Sequence, residues 1–132
     1  PCYLGRPNGI YEAPRRVLQS IPGLTLIEMA SNREGSLCCG GGGGGAWGDT
    51  PSGLRLGELR VEEALATGAE VIVTACPYCI RMLNEAVRAL RVADRIAVRD
   101  LAELLMQSVM MKDEAKMMER VDLGVDREVC HV

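Results

Sequence analysis

A short apolar run that leads directly into a helix start constrains the fold of this chain most strongly. Val71 to Thr74 is rich in β-branched residues, and Cys76 and Pro77 follow after a single alanine. Proline is favoured at the first position of a helix, and β-branched residues are favoured in strands. Apolar residues then recur at helical spacing, at Ile80, Leu83, Val87 and Leu90. The sequence therefore predicts a buried strand followed at once by an amphipathic helix.

The same alternation of strand and helix continues on both sides of this unit. Further strands are predicted over Leu24–Met29 and Ile96–Val98, and further helices over Asn8–Ser20, from Thr50 to Gly68 and from Leu101 through Val109. Asp100 and Glu103 form a capping box at the start of the last helix. Such alternation favours an α/β fold with a small parallel sheet flanked by helices, whose ligands bind at the carboxyl ends of the strands.

The length of 132 residues is that of one ordinary domain. Residues 1–118 are predicted to form it, and its methionine-rich end, from Met106 to Met118, is interpreted as packing. Residues 119–132 are predicted to be a tail that can be flexible. Cys130 and His131 lie in this tail, where a sixth metal ligand, a resolving thiol or no role at all are open alternatives.

Composition and charge exclude several classes of function. The formal net charge is -3, which gives no reason to expect a nucleic-acid partner. No apolar run reaches the roughly 18 residues that a membrane span requires, so insertion into a membrane by this chain is not expected. Six cysteines occur, but a chain with this much aliphatic content does not need disulfides to fold. The cysteines therefore indicate metal or redox chemistry in the cytoplasm.

Five of the cysteines form three groups along the chain. Cys2 is separated by 35 residues from the pair Cys38-Cys39, and a further 36 residues lead to Cys76, which forms a C-x-x-C motif with Cys79. Their predicted positions at strand ends and helix starts allow the five thiols to converge. Helix N-termini lower thiol pKa values and stabilise thiolates.

A glycine run follows the cysteine pair. Gly40 and Gly41 open this run, which continues to Gly45 within a loop predicted from Ala30 to Gly48. Glycine accepts positive φ and lets backbone amides approach a ligand closely. We therefore expect the irregular backbone here to turn both Cys38 and Cys39 toward one site.

Three other interpretations fit part of this pattern. Cys76-Pro77-Tyr78-Cys79 is also the glutaredoxin motif, but thioredoxin-like folds need a later proline and none occurs after Pro77. The glycine run is typical of phosphate loops, but no G-K-[ST] follows it. A structural zinc site could use Cys76, Cys79 and two further thiols. Sequence does not separate zinc from an iron–sulfur cluster, since both bind thiolates.

The full pattern resembles the CCG domain of heterodisulfide reductase subunits and related iron–sulfur oxidoreductases. The resemblance covers Pro1 to about Leu105 and rests on the spacing C-x35-CC-x36-C-x2-C and on the segments PCYLGRPNGIYEAPR, NREGSLCCGGGGG, LRVEEALATGAEVIVTACPYC and VRDLAELL. These segments are most similar to the C-terminal domain of members linked to electron-transfer flavoprotein, glycolate or lactate. The resemblance implies that this chain is the C-terminal part of a longer protein.

The resemblance also implies a cofactor. It is an iron–sulfur cluster of the noncubane four-iron type, with zinc as the alternative, and its implied metal ligands are Cys2, Cys38, Cys39, Cys76 and Cys79. Gly40 and Gly41 are implied to contact the cofactor, and Cys38 and Cys39 to lie closest to the reaction. Four arginines could balance the negative charge of a cluster, but most of them are expected to be solvated surface residues: Arg6, Arg33, Arg55 and Arg60.

The implied function is electron transfer within a heterodisulfide reductase-like oxidoreductase. Electrons would pass between a flavoprotein or a ferredoxin-like domain and a quinone or disulfide acceptor, with a second CCG domain in the same complex. The complex would be cytoplasmic, with partners that can hold it at the cytoplasmic face of the membrane. The alternative is a structural zinc module that docks or assembles a complex without redox turnover.

Overall fold

A four-stranded, wholly parallel sheet forms the centre of the computed structural model, which describes residues 1–48, 55–117 and 127–131, without the side chains of 112–117 and 127–131. The strands are β1 (Leu24–Ile27), β2 (Val71–Thr74), β3 (Ala97–Asp100) and β4 (Arg127–His131), in the order β1-β4-β2-β3. The prediction of an α/β fold with a small parallel sheet flanked by helices is confirmed.

Five α-helices accompany the sheet in the described part of the chain. They are α1 (Cys2–Gly5), α2 (Glu12–Gln19), α3 (Leu56–Ala66), α4 (Pro77–Ala89) and α5 (Leu101–Met117). The helix predicted from Asn8 begins only at Glu12, because Gly9 adopts a positive φ of 63° that interrupts it. The predicted helix start at Thr50 lies outside the described residues, and the Ala30–Gly48 connection contains only short 3-10 turns, at Arg33–Gly35 and Gly42–Gly44.

Strand β4 differs from the predicted tail. Residues 127–131 lie between β1 and β2 and pair with both in parallel, with Val129 opposite Leu26 and Val71. The remaining tail residues, 119–126 and 132, lie outside the described part of the chain. Five residues are too few to show a clear alternation of apolar and polar side chains. The pairing of β4 with β1 and β2 joins residues that lie far apart in sequence, so hydrophobic periodicity does not predict it.

Hydrophobic side chains pack on both faces of the sheet. Ile72 points to the face covered by α3 and α4, where it packs with Val61 and Leu83. Val73, its neighbour on β2, points to the opposite face and packs with Leu18 of α2 and with the leucines of α5. This alternation is the period of two expected for a strand covered by helices on both faces. The cluster on the α3 and α4 face also includes Cys39 and Cys79, so the core continues into the cysteine site.

The predicted capping box at the start of α5 is present. The backbone N–H of Ala102 donates to Asp100 Oδ1 at 2.7 Å, and the backbone N–H of Asp100 donates to Glu103 Oε2 at 3.3 Å. These two bonds satisfy amide groups that the helix itself leaves without acceptors.

Replacing Asp100 by alanine is expected to lower the free energy of unfolding by about 1 kcal/mol, because the N-cap hydrogen bond is lost. Urea unfolding followed by circular dichroism measures the change. Asp94→Ala, in the exposed turn before β3, is the matched control and should change stability by less than about 0.5 kcal/mol. Equal effects of the two substitutions would contradict the capping role.

Candidate metal centre

The cysteines come from three separate parts of the fold. Cys76 is the N-cap of α4, directly after β2, and Cys79 lies in the first turn of that helix. Cys38 and Cys39 lie in the connection between β1 and α3, and Cys2 is the first residue of α1. The prediction that Cys76 precedes a helix with Pro77 at its first position is confirmed.

All five predicted thiols belong to one connected group. Side-chain hydrogen bonds join Cys2 to Cys38, Cys38 to Cys39, Cys39 to Cys79 and Cys79 to Cys76. Cys39 and Cys79 are each only 4% exposed, whereas the other three are half-buried. These pairwise contacts place the five side chains near one another, and that they share one metal site stays a prediction. Cys130 lies on β4, and its side chain is outside the described part of the molecule.

Cys39 is the anionic centre of the group. Its pKa is lowered to about 6, first because the Cys79 thiol donates a hydrogen bond to it. Burial acts in the opposite direction, but the backbone N–H of Gly41 and the Cys38 side chain further stabilise the thiolate. The pKa of Cys79 is correspondingly raised, because its proton is held in the hydrogen bond to Cys39 and because the thiol is buried. A thiolate at Cys39 is the form that binds a metal.

The pKa of Cys2 is shifted in the opposite direction to that of Cys39. Burial raises the pKa of its thiol, and the neighbouring Cys38 raises it further, while the Arg6 guanidinium acts to lower it. Cys2, like Cys79, therefore needs a cation or a metal beside it to ionise.

The glycines after the cysteine pair bring backbone amides to sulfur. Gly40 has a φ of +88°, a conformation that L side chains rarely adopt, and its N–H donates to Cys38 Sγ at 3.4 Å. A Cβ on Gly41 would lie 2.9 Å from Met82 Cγ and 3.6 Å from Cys39 Sγ. Both positions thus need a residue without a side chain, and their contact with a cofactor stays a prediction.

One glycine of the site was missed by sequence reasoning. Gly57 lies inside α3, and a Cβ there would stand 3.3 Å from the carbonyl oxygens of both Cys39 and Met82. The absence of a side chain lets α3 approach the cysteine loop and α4 closely. The signal in the sequence was a glycine well inside the helix predicted from Thr50 to Gly68, where glycine costs about 1 kcal/mol relative to alanine.

The donor set fits an iron–sulfur cofactor. Five thiols, a soft donor type, are linked by pairwise contacts, the pKa of the central thiol is lowered to about 6, and backbone N–H groups donate to two of the sulfurs. Thiolates and amide-to-sulfur hydrogen bonds are the groups with which proteins hold such clusters and tune their potentials. Among the described residues, no group of three or more His, Cys, Asp or Glu side chains is arranged to hold a metal ion. The thiols instead contact one another pair by pair, from Cys2 through Cys38, Cys39 and Cys79 to Cys76.

A protein-family model identifies the family of the chain. The model of the CCG cysteine-rich domain matches residues 1–84, which contain all five thiols. The chain belongs to the CCG family. The match confirms the family resemblance drawn from the cysteine spacing. It ends within α4, so the end of α4, β3, α5 and β4 lie beyond the matched range.

Curated relatives of this CCG domain are parts of larger redox proteins. The chain is 44% identical over 112 residues to the probable iron-sulfur-binding oxidoreductase FadF of Bacillus subtilis, covering 85% of this chain and 16% of that protein. It is 41% identical over 109 residues to a subunit of the dihydromethanophenazine:CoB–CoM heterodisulfide reductase of Methanosarcina barkeri, covering 83% and 26% respectively. It is 36% identical over 115 residues to the EtfAB:quinone oxidoreductase of Syntrophomonas wolfei, covering 82% and 16%. The chain thus spans about a quarter of these relatives or less, and no solved structure matches it.

The glycine run offers a matched pair of substitutions. A Cβ on Gly45 would lie 2.2 Å from the carbonyl oxygen of Gly40, whereas a Cβ on Gly42 would meet no atom within 4 Å. We expect Gly45→Ala to displace Gly40 and the cysteine pair before it, and so to lower the metal content of the purified protein several-fold. Gly42→Ala should leave the metal content unchanged. If both variants retain full metal content, the run does not position the cysteines.

Proposed function

We propose that this domain carries electrons through an iron–sulfur cluster within a heterodisulfide reductase-like oxidoreductase. The observation that carries the proposal is the single connected group of five thiols, because a tetrahedral zinc site has no use for a fifth. Three relatives whose names describe iron–sulfur or disulfide- and quinone-linked redox enzymes support it.

The five cysteines of the site would act as ligands of the cluster. Cys39 and Cys79, at the buried centre, would bind the innermost part of the cofactor, and Cys2, Cys38 and Cys76, which are half-buried, would bind its outer part. The cluster, when bound, supplies a centre that accepts and releases electrons. We propose the noncubane four-iron type, since its family pattern uses all five thiols.

Cys38 and Cys39 have the most direct part in this proposal. Cys39 provides the preformed thiolate, and the backbone N–H groups of Gly40 and Gly41 donate to the two neighbouring sulfurs. These donors lower the free energy of an electron-rich sulfur, so they would raise the reduction potential of the cluster. Burial of Cys39 and Cys79 would exclude water from the same side of the site.

The partners and the location follow from the proposed role. A flavoprotein or a ferredoxin-like domain would deliver electrons, a second CCG domain would belong to the same complex, and a quinone or a disulfide would accept the electrons. None of the described helices is long and apolar enough to cross a membrane. We place the domain in the cytoplasm, with partners that can hold it at the cytoplasmic face of the membrane.

Redox titration of the full protein tests this function. The protein would be purified without air, reduced with reduced electron-transfer flavoprotein, and then mixed with a water-soluble quinone or, separately, with a small disulfide. We expect the visible absorption of the cluster to bleach on reduction and to return with one of the acceptors. Zinc in place of iron, with no redox-active absorption from this domain, would contradict the proposal and leave the docking module as the function.

A further inference from the structure

A pocket opens beside Cys2, and no residue of α4 lines it. Its walls come from α1, from α2, from the turn around residues 32–36 and from α3, and its inner space is about 40 Å³, large enough for one small polar group. Cys2 is the one implied metal ligand in its lining. The pocket thus adjoins the cysteine site without being part of it.

Four guanidinium groups line this pocket. They belong to residues from all of its walls, namely Arg6, Arg15, Arg33 and Arg60. No Asp or Glu contributes to the lining among the described residues. All the charged side chains of the lining are therefore cations, which favours an anion, and guanidinium groups match the planar or forked oxygens of carboxylates and phosphates.

The acidic partners of these arginines do not belong to the pocket lining. Glu28 accepts hydrogen bonds from Arg15, at 2.9 Å for one of the two, and Glu12 accepts one from Arg33 at 2.9 Å. These ion pairs hold the guanidinium groups in place. Arg6 donates at 2.7 Å to the carbonyl oxygen of Ser36 and makes no ion pair with a carboxylate among the described residues. Arg6 is thus a lining arginine without a carboxylate partner among the described residues.

Arg60 provides the second, independent observation. It is 1% exposed and donates through Nη1 to Glu63 and to the Ser31 carbonyl. Its Nε is buried and has no hydrogen-bond acceptor among the described residues. A buried guanidinium with an unsatisfied N–H costs free energy unless an acceptor is supplied from outside the chain. Most of the four predicted surface arginines, namely Arg6, Arg33 and Arg55, are indeed exposed, and Arg60 is the exception.

We propose that this arginine pocket binds the carboxylate or phosphate group of a small acidic molecule. Arg6 and Arg33, at the rim, would make charge-assisted hydrogen bonds to the oxygens of the anion, and Arg60 would offer the buried N–H. A molecule anchored there would lie against Cys2. The binding claim rests on this chain's own side chains and stands apart from the proposed electron transfer.

Calorimetric titration of the full protein with defined anions tests the proposal. The probes are inorganic phosphate and the dicarboxylate malonate, each added at low ionic strength, with chloride as the reference anion. We expect saturable binding of at least one probe, and the tighter of the two identifies the phosphate or the carboxylate chemistry. Chloride should not compete at equal concentration.

Arginine variants locate the binding. Arg6→Gln and, separately, Arg33→Gln should each weaken the binding about tenfold, because each removes one charge-assisted hydrogen bond. Arg88→Gln, which removes the same charge from the exposed end of α4, should leave it unchanged. Circular dichroism confirms that each variant is folded.

Two results would overturn the proposal. One is the absence of saturable binding for both probes. The other is an equal effect of Arg88→Gln and the two pocket variants, which would mean that the anions respond to overall charge. Intact cluster reduction in a protein that binds neither anion would reject the pocket while leaving the proposed function standing.

Discussion

Replacing Cys39 by alanine is expected to remove the iron and sulfide of this domain, lowering the iron of the full protein by about four atoms per chain. Cys39 is the buried thiolate through which Cys38 and Cys79 are connected. Its loss would divide the five thiols into two separate groups, Cys2 with Cys38 and Cys76 with Cys79. Iron and acid-labile sulfide, measured on protein purified without air, give the result.

Cys130→Ala is the matched control for this substitution. It removes one thiol from the same chain but lies on β4, outside the five-cysteine pattern. We expect it to keep the full iron content. A Cys39→Ala protein with unchanged iron and an unchanged cluster spectrum would contradict the five-ligand site, and loss of iron in both variants would mean that Cys130 is also required.

Replacing Leu83 by alanine is expected to lower the free energy of unfolding by about 2–5 kcal/mol. Leu83 is fully buried on α4 and packs in the cluster that also contains Ile72, Cys39 and Cys79. The substitution removes its contacts and leaves a cavity beneath the cysteine site. Since a domain of this size is stable by only about 5–15 kcal/mol, the loss would be a large share of the total.

Met106→Ala provides the comparison for Leu83→Ala. Met106 is 60% exposed on α5, so shortening it should change the free energy of unfolding by less than about 0.5 kcal/mol. Urea unfolding followed by circular dichroism measures both variants under the same conditions. Equal destabilisation by the two substitutions would show that the core does not lie between α3, α4 and the sheet.

Local signals predicted the parts of the fold that depend on neighbouring residues. The strand at Val71–Thr74, the helix start at Cys76 and Pro77, and the capping box at Asp100 each depend on a few consecutive residues. Each is found where the sequence predicted it. Helix and strand propensities act over such short ranges, so these elements can be identified without tertiary information.

Features formed by distant residues could not be identified in this way. β4 becomes a strand by pairing with β1 and β2, which lie far from it in sequence. Arg60 has the sequence context of an ordinary helix arginine, and only the packing of α3 against the 31–36 segment shows that it is buried. The position of Gly57 against the Cys39 carbonyl is equally non-local.

The sequence predicted which cysteines make up the candidate site. It did not predict which of them is the thiolate and which donates a hydrogen bond to it. The spacing of the cysteines, together with the family resemblance, named the five thiols that the structure brings together. Which thiol is central depends on burial and on the donors around it, and these make Cys39 the thiolate and Cys79 its donor. In sequence, Cys38 and Cys39 are equivalent neighbours.

Metal and sulfide analysis of this chain, purified without exposure to air, tests the central claim most directly. Iron, acid-labile sulfide and zinc would be measured on one preparation, together with electron paramagnetic resonance spectra before and after reduction. The five-thiol electron-transfer site predicts iron and sulfide in about equal amounts and a paramagnetic signal that changes on reduction. About one zinc per chain without sulfide would contradict it and assign the site a structural role.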